Sequence, residues 1–283
     1  MMRSFPDPVE LVQGTGLAPS SHLQKVLLSE LERIRELPSG PVIERTPLSV
    51  DESGPFESAL RESHSREGGG IIAEYKQGSP SLGPFAAGTS LREQLRAYQE
   101  GGAACFSILT EPRYFMGSSQ HIAQAVELGV PSLYKGFVIS EGHLFDAAAS
   151  GAHAVLLIAR VLKENTASFA EAARALGLEP LVELHDLTEF PVAQASGARL
   201  VGINARDLST FTLGAPNAAP LRQAFPEAVL IRESGLATPE DVVNAFSAGF
   251  DAVLIGEALM RSSNPKGFLE RVLVGAKARA ASC

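Results

Sequence analysis

The chain has 283 residues, 45% apolar and 20% charged, and a formal charge of −8 at neutral pH. That length supports one large core or two smaller ones, the composition is that of a soluble globular protein, and the acidic balance argues against nonspecific nucleic-acid binding while leaving room for a local cationic pocket. Cys105 and Cys283 make no disulfide framework and fit a reducing compartment, no apolar run reaches the length of a membrane span, and the opening MMRSFPDPVE lacks a secretory apolar segment, so a cytoplasmic protein with no nucleic-acid and no membrane partner is expected.

In chain order, residues 1–21 are rich in Pro, Gly and Ser and read as loop. The segment 23–37 has helical periodicity and stops at Pro38. A short helix is expected around PFESALRES, and a glycine run, Gly68 to Gly70, precedes the first strand. From Ile71 the pattern becomes regular. Short apolar runs (IIAEYK, ACFSILT, PSLYK, AVLLIA, PLVELH, LVGINA, VLIRES and AVLIGE) alternate with amphipathic spacers such as SLREQLRAYQEGG and TPEDVVNAFSAGF. Several spacers end at Gly, as helix C-caps do, and Thr238-Pro239 is a helix start. Eight strands with helical spacers predict an α/β fold, an eight-stranded parallel (β/α)8 TIM barrel over residues 68–283 preceded by an N-terminal extension, 1–67, that contains the helix 23–37. The competing reading is an open doubly wound sheet. It needs fewer strands and often carries a glycine-rich nucleotide loop, and neither GxGxxG after Lys76 nor GxxxxGK[ST] anywhere is present.

In a closed barrel the chemistry sits at the C-terminal ends of the strands. Polar residues recur there: Glu74 and Lys76, Thr110 and Glu111, Lys135, Glu183 and His185, Asn204 and Arg206, Glu233 and Ser234, Gly256 and Glu257. Glu74 and Lys76, two apart, share one face of their strand. A lone strand-end glutamate is more often structural or solvated. Several carboxylates and two lysines in matching positions favour a site. The turns ESG at 233–235 and IGEALM at 255–260 can offer backbone N–H groups to a phosphate, in the place where barrels commonly bind one. No metal is expected, because the six histidines show no ligand spacing. His121 and His143 fall in helices, and His185 fits a place behind another side chain of the site or at the substrate's edge better than ligation. No GxSxG elbow occurs.

The segments IIAEYKQGSPSLG, FSILTEPRYFMGS, YKGF, LLIARVL, LVELHD, GINARDLSTF, RESG and IGEALM, in that order, resemble the indole-3-glycerol-phosphate synthase family across about residues 68–262. The lead-in at 23–37 resembles the family's extra N-terminal helices, and the resemblance implies that this helix packs across the barrel mouth. The resemblance implies conversion of 1-(2-carboxyphenylamino)-1-deoxyribulose 5-phosphate to indole-3-glycerol phosphate by ring closure, decarboxylation and dehydration, without cofactor. It makes Lys135 the principal acid and Glu183 the group acting in dehydration. Lys76 binds the substrate carboxylate, and Glu74 orients the lysines and sugar hydroxyls. Asn204 hydrogen-bonds a substrate hydroxyl or the carboxylate region, and Glu233 and Ser234 complete the polar shell. Ser79 and Arg206 lie near the anionic ends of the substrate. Backbone at Gly235, Gly256 and Glu257 cradles phosphate, and Phe115 and Phe137 form the aryl wall. The partner implied is a small anionic sugar phosphate, with the chain a monomer or weak homo-oligomer.

The chain departs from the family pattern in four places. LYKGF stands for the usual LRKDF, placing Tyr134 and Gly136 beside Lys135; loss of the aspartate is expected to lower the lysine's pKa or free its loop. Arg232 replaces a small residue and, by alternation, must point away from the barrel axis. Ala205 replaces an asparagine. His143 and Gly214 replace a glutamine and an acidic residue. These departures keep two alternatives beside the synthase: a paralogue acting on a modified aryl-amino sugar phosphate in secondary metabolism, and a non-catalytic barrel used for binding. Retention of the expensively buried polar set argues against the last.

Overall fold

Eight parallel strands close on themselves in the order β1-β10-β9-β8-β7-β6-β5-β4, in a computed structural model that describes residues 5–40, 45–79, 83–84, 90–205 and 217–282. Two helices come first: α1 (Pro8–Gly14) and α2 (His22–Arg33). Helix α3 (Pro55–Glu67) leads into β1 (Gly70–Tyr75), and a two-residue hairpin, β2 (Gly78–Ser79) with β3 (Gly83–Pro84), follows it. The chain then runs α4 (Leu91–Glu100), β4 (Cys105–Leu109), α5 (Gln120–Val126), β5 (Ser132–Lys135), α6 (Glu141–Ala149), β6 (Ala154–Ile158), α7 (Ala159–Leu162), α8 (Thr166–Ala175), β7 (Glu179–Leu184), α9 (Phe190–Ala195), β8 (Leu200–Asn204), α10 (Ala218–Ala224), β9 (Val229–Glu233), α11 (Pro239–Ser247), β10 (Ala252–Ile255), α12 (Glu257–Arg261) and α13 (Pro265–Ala280).

The barrel strands are apolar runs because both of their faces are covered, one by the barrel interior and one by helices. Every residue of β1, β4, β6, β7 and β10 is buried. The helices begin where the side chains supply caps: Ser90 with Glu93, and Thr238 with Asp241, form reciprocal capping boxes on α4 and α11. Among the described residues no helix is long and apolar enough to cross a membrane.

The first 21 residues correct the sequence reading. Rather than loop throughout, they contain α1, started by Asp7 accepting from Val9 N–H with Pro8 in the first turn, and anchored by buried Leu11 and Val12. About two helical turns hold too few apolar positions to show a period. The Asp-Pro start was the readable signal.

Helices α2 and α3 go to opposite ends of the barrel. Helix α3 lies across the N-terminal ends of the strands. Its Phe56 carbonyl accepts from Cys105 at the start of β4, its Phe56 and Glu57 N–H groups donate to Glu179 at the start of β7, and Glu57 pairs with Arg199 just before β8. Helix α2 lies beside the loops that follow the strands. Glu32 pairs with Arg113 after β4, and Glu30 meets His143 of α6. One end of the barrel is thereby closed, and the other is left for a cavity.

Candidate active site

The strand ends bring Glu74, Lys135, Glu183 and Glu233 to one point. The Lys135 ammonium donates to Glu233 Oε2 at 2.5 Å and stands 3.8 Å from Glu74 Oε2 and 3.9 Å from Glu183 Oε2. Lys76 Nζ lies 3.1 Å from the other Glu74 oxygen. Asn204 Nδ2 donates to Glu183 Oε2 at 3.2 Å, and Ser234 Oγ donates to Asn204 Oδ1 at 2.7 Å. Two glycines make room for this charge. A Cβ at Gly256 would collide with the Glu74 carboxylate, and one at Gly202 with that of Glu233. The turn after β9 is bent by two successive left-handed residues, Ser234 (φ 65°) and Gly235 (φ 72°). For serine that conformation costs on the order of 1 kcal/mol, and it is what aims the hydroxyl at Asn204.

Charges this buried are costly unless each is paired. Burial opposes the Lys135 charge, but Glu233, Glu74 and Glu183 overcome it and hold the ammonium well above the ordinary lysine range. The fall expected from the missing aspartate is therefore reversed by three carboxylates. Burial pushes Glu233 up to about 7; Lys135 opposes that rise and neighbouring Glu183 adds to it. The site thus sets an ammonium among three carboxylates, an arrangement that suits transfer of protons in a dry pocket.

These groups line a cavity of about 580 Å³, the size of a small-ligand site. Phe115 and Phe137 stand on its wall with ring centroids 5.8 Å apart and planes tilted by 32°. Gly235, Gly256 and Glu257 line it too, at the starts of the turns after β9 and β10. Of the residues predicted from sequence, Glu74, Lys76, Phe115, Lys135, Phe137, Glu183, Asn204, Glu233, Ser234, Gly235, Gly256 and Glu257 border this one cavity. Arg206, the Ser79 side chain and Gly214 lie outside the described residues. Sequence reading missed Arg261, Ser262 and Phe268, which also line the cavity beside apolar strand residues such as Leu156, Ile158 and Leu254. Arg261 was findable, since it follows Glu257 by one helical turn and pairs with it at 3.1 Å. No group of acidic, histidine or cysteine side chains suited to a metal ion occurs among the described residues.

Glu111 is a strand-end acid with a different task. It is buried and turned into its own loop, accepting from the N–H groups of Arg113, Tyr114 and Phe115 at 3.0, 2.7 and 3.0 Å. It shapes the TEPRYF turn that delivers Phe115 to the cavity. His185 stands behind Glu183 rather than on the cavity wall, with Nε2 3.4 Å from Glu183 Oε1.

The unusual residues around Lys135 form a coupled set. Tyr134 is fully buried on the outer face of β5, where its hydroxyl donates to Asp146 Oδ2 at 2.9 Å and accepts from Arg33 of α2 at 3.5 Å. A Cβ at position 136 would stand 2.7 Å from the Tyr134 ring and 2.5 Å from Thr110 Oγ1. Gly136 is thus the counterpart of the tyrosine, and Arg33 brings a guanidinium from another helix to the tyrosine's hydroxyl. His143, buried in α6, accepts from Ser140 at Nδ1 (2.8 Å) and donates from Nε2 to the buried Glu30 (2.7 Å), which also receives Arg33. Arg232 does point away from the axis. It is half-buried, with burial lowering its pKa and Asp241 opposing that effect.

A family model described as indole-3-glycerol phosphate synthase matches residues 23–272. The chain is 40% identical over 226 residues to the indole-3-glycerol phosphate synthase of Desulfosudis oleivorans, covering 79% of this chain and 86% of that protein. It is 40% identical over 260 residues to the one from Lachnoclostridium phytofermentans, covering 86% and 96%. Against the one from Methanothermobacter marburgensis it is 36% identical over 260 residues, covering 89% and 92%.

Proposed function

The chain belongs to the indole-3-glycerol phosphate synthase family, and from that premise we propose that it converts 1-(2-carboxyphenylamino)-1-deoxyribulose 5-phosphate to indole-3-glycerol phosphate, carbon dioxide and water. The observation that carries the proposal is the Lys135 ammonium held within 4 Å of three carboxylates inside a cavity with an aromatic wall.

In this reading Lys135 protonates the ketone oxygen as the aryl carbon attacks the ketone carbon, so no free alkoxide forms. Lys76 holds the carboxylate, which leaves as carbon dioxide and returns its electron pair to the ring. Lys76 then gives a proton to the departing hydroxyl. Glu183 takes the proton from the carbon beside the anilino nitrogen, and its charge stabilises the positive nitrogen that precedes this loss. Asn204 and Ser234 fix the Glu183 side, and Glu74 and Glu233 orient the lysines and the sugar hydroxyls. The backbone at Gly235, Gly256 and Glu257 receives the phosphate, with Ser79 and Arg206 at the anionic ends. Phe115 and Phe137 enclose the aryl ring and exclude water.

A ring-modified substrate draws no support from Gly136, because a side chain there would meet Tyr134 and Thr110 rather than fill the cavity. The test is incubation of the purified protein with the unmodified substrate while indole fluorescence is followed. The chain contains no tryptophan, so the product is read against a tyrosine background. Absence of product from folded protein at high concentration overturns the proposal, and faster turnover of ring-substituted substrates redirects it to the paralogue reading.

A further inference from the structure

We propose that His185 is a positioning residue for Glu183: a buried imidazolium that fixes one oxygen of that carboxylate, keeps the group ionised, and leaves its second oxygen to the cavity. The inference rests on the reading of Glu183 as the base of the dehydration step.

The two oxygens of Glu183 have different surroundings. Oε2 faces the cavity groups, taking the Asn204 amide at 3.2 Å with Lys135 at 3.9 Å. Oε1 faces His185, whose Nε2 is 3.4 Å away. The far side of the ring meets a second acid, with Nδ1 3.9 Å from Glu189 Oε2. Glu189 is fixed in turn. It accepts the His185 backbone N–H at 2.8 Å and Arg160 Nε at 3.1 Å, and Arg160 also reaches Asp186 at 3.0 Å.

A ring placed between two carboxylates is matched by one protonation state. Neutral imidazole has one N–H, so one nitrogen would present its lone pair to a carboxylate oxygen. Imidazolium donates on both sides. The His185 side chain is 2% exposed, so water cannot relieve the mismatch. Neither ring nitrogen has a close hydrogen-bond partner, and the 3.4 and 3.9 Å separations are those a small rotation converts to bonds. The charged groups facing the ring are Glu183 on β7, Glu189 on the turn before α9, and Arg160 on α7. Burial works against the charged ring, the two glutamates outweigh burial, and Arg160 opposes them; the net displacement is upward.

The consequence falls on Glu183. A positive ring behind a buried carboxylate favours its ionised form, and a donor fixed at Oε1 prevents the carboxylate from swinging away from Oε2's target. His185 does not border the cavity, so it acts through Glu183 without touching substrate.

Two variants separate the parts of this role. His185→Ala removes both charge and donor. His185→Gln retains a donor near the Nε2 position without charge. His185→Ala is expected to lower kcat roughly tenfold or more, with KM changed less than about twofold, and to move the acid limb of the kcat profile to higher pH. His185→Gln is expected to recover part of kcat while leaving the acid limb displaced. Circular dichroism and the urea midpoint check the fold of both. A second measurement needs no turnover: nitrogen-15 NMR of the His185 ring in the full chain, expected to show two N–H groups at neutral pH and a lower titration midpoint in Glu183→Gln. If wild-type protein makes no product, the functional reading falls while the NMR result still decides the charge state. A neutral ring at pH 7, or a His185→Ala enzyme with unchanged kcat and acid limb, overturns the inference.

Discussion

Substituting Gly136→Ala tests whether Tyr134 and Gly136 are one packing unit. Gly136 is not among the residues with positive φ, so alanine fits the backbone there. A strain-free Gly→Ala exchange stabilises by about 0.4–1 kcal/mol through the unfolded chain. Here the new methyl would lie 2.5 Å from Thr110 Oγ1 and 2.7 Å from the Tyr134 ring, inside any real Cβ contact. Thr110 and the fully buried Tyr134 have little room to retreat, and overpacking of this kind costs about 1–3 kcal/mol. The clash therefore wins, and a net loss of about 1–2 kcal/mol is expected from these two ranges. In a Tyr134→Leu background the ring edge is gone, and only the Thr110 contact remains. The cost should then shrink by about 1 kcal/mol, within the range for touching residues. Urea midpoints of the four proteins give this cycle, and the kcat of each reports whether strain reaches Lys135 next door. A neutral or stabilising Gly136→Ala, or an equal cost in both backgrounds, refutes the packing argument.

Replacement Lys135→Ala should lower kcat by about 10²–10⁴-fold with far-ultraviolet dichroism unchanged; full turnover would remove it from the mechanism. His143 should give the α2 attachment a pH dependence. Burial holds its pKa below the ordinary 6.5 despite Glu30, so the unfolded chain binds more protons, and stability present above 6.5 is lost as pH falls through and below it. Comparison of urea midpoints at pH 7.5 and 5.5 should show a smaller drop in His143→Gln than in wild type. At Glu179 the sign is opposite. Burial raises that carboxyl to about 7 against its backbone hydrogen bonds, so its contribution is full below its unfolded value and fades as pH rises through 7. Glu179→Gln should flatten stability between pH 5 and 8 and leave kcat unchanged.

The barrel was legible because its strands are short apolar runs with polar ends. AVLLIA became β6 and PLVELH became β7 with boundaries moved by a residue. The gathering of strand-end acids and lysines around one cavity was legible because topology alone brings strand ends together. What escaped depended on contacts across the sequence. Nothing local to LYKGF announces that Arg33, 101 residues earlier, meets the Tyr134 hydroxyl, or that the space beside residue 136 is occupied by the tyrosine ring. Nor does TEPRYF declare that Glu111 serves its own loop, until three backbone N–H groups are found on it. His143 was placed in a helix from its spacing, but its buried partner Glu30 comes from α2, 113 residues away.

Strand β7 shows why residue type and position are insufficient without surroundings. It carries Glu179 and Glu183, four apart and both buried. Glu179 stands at the closed end, where its oxygens accept the Phe56 and Glu57 N–H groups at 2.7 and 2.8 Å and thereby hold α3 across the barrel. Both oxygens are occupied by backbone, and the pocket it lines among the described residues, of about 20 Å³, is too small for a substrate of this size. Glu183 stands at the open end with one oxygen toward His185 and the other toward Asn204 and Lys135. Its partners are side chains that can change protonation or rotate, and it borders the 580 Å³ cavity. Fixed backbone donors make a carboxylate a fastener, whereas side-chain neighbours and space for a reactant are what the proposed role of Glu183 as a base requires. The parallel barrel separates these roles along a single strand, because the loops and the cavity gather at one end only.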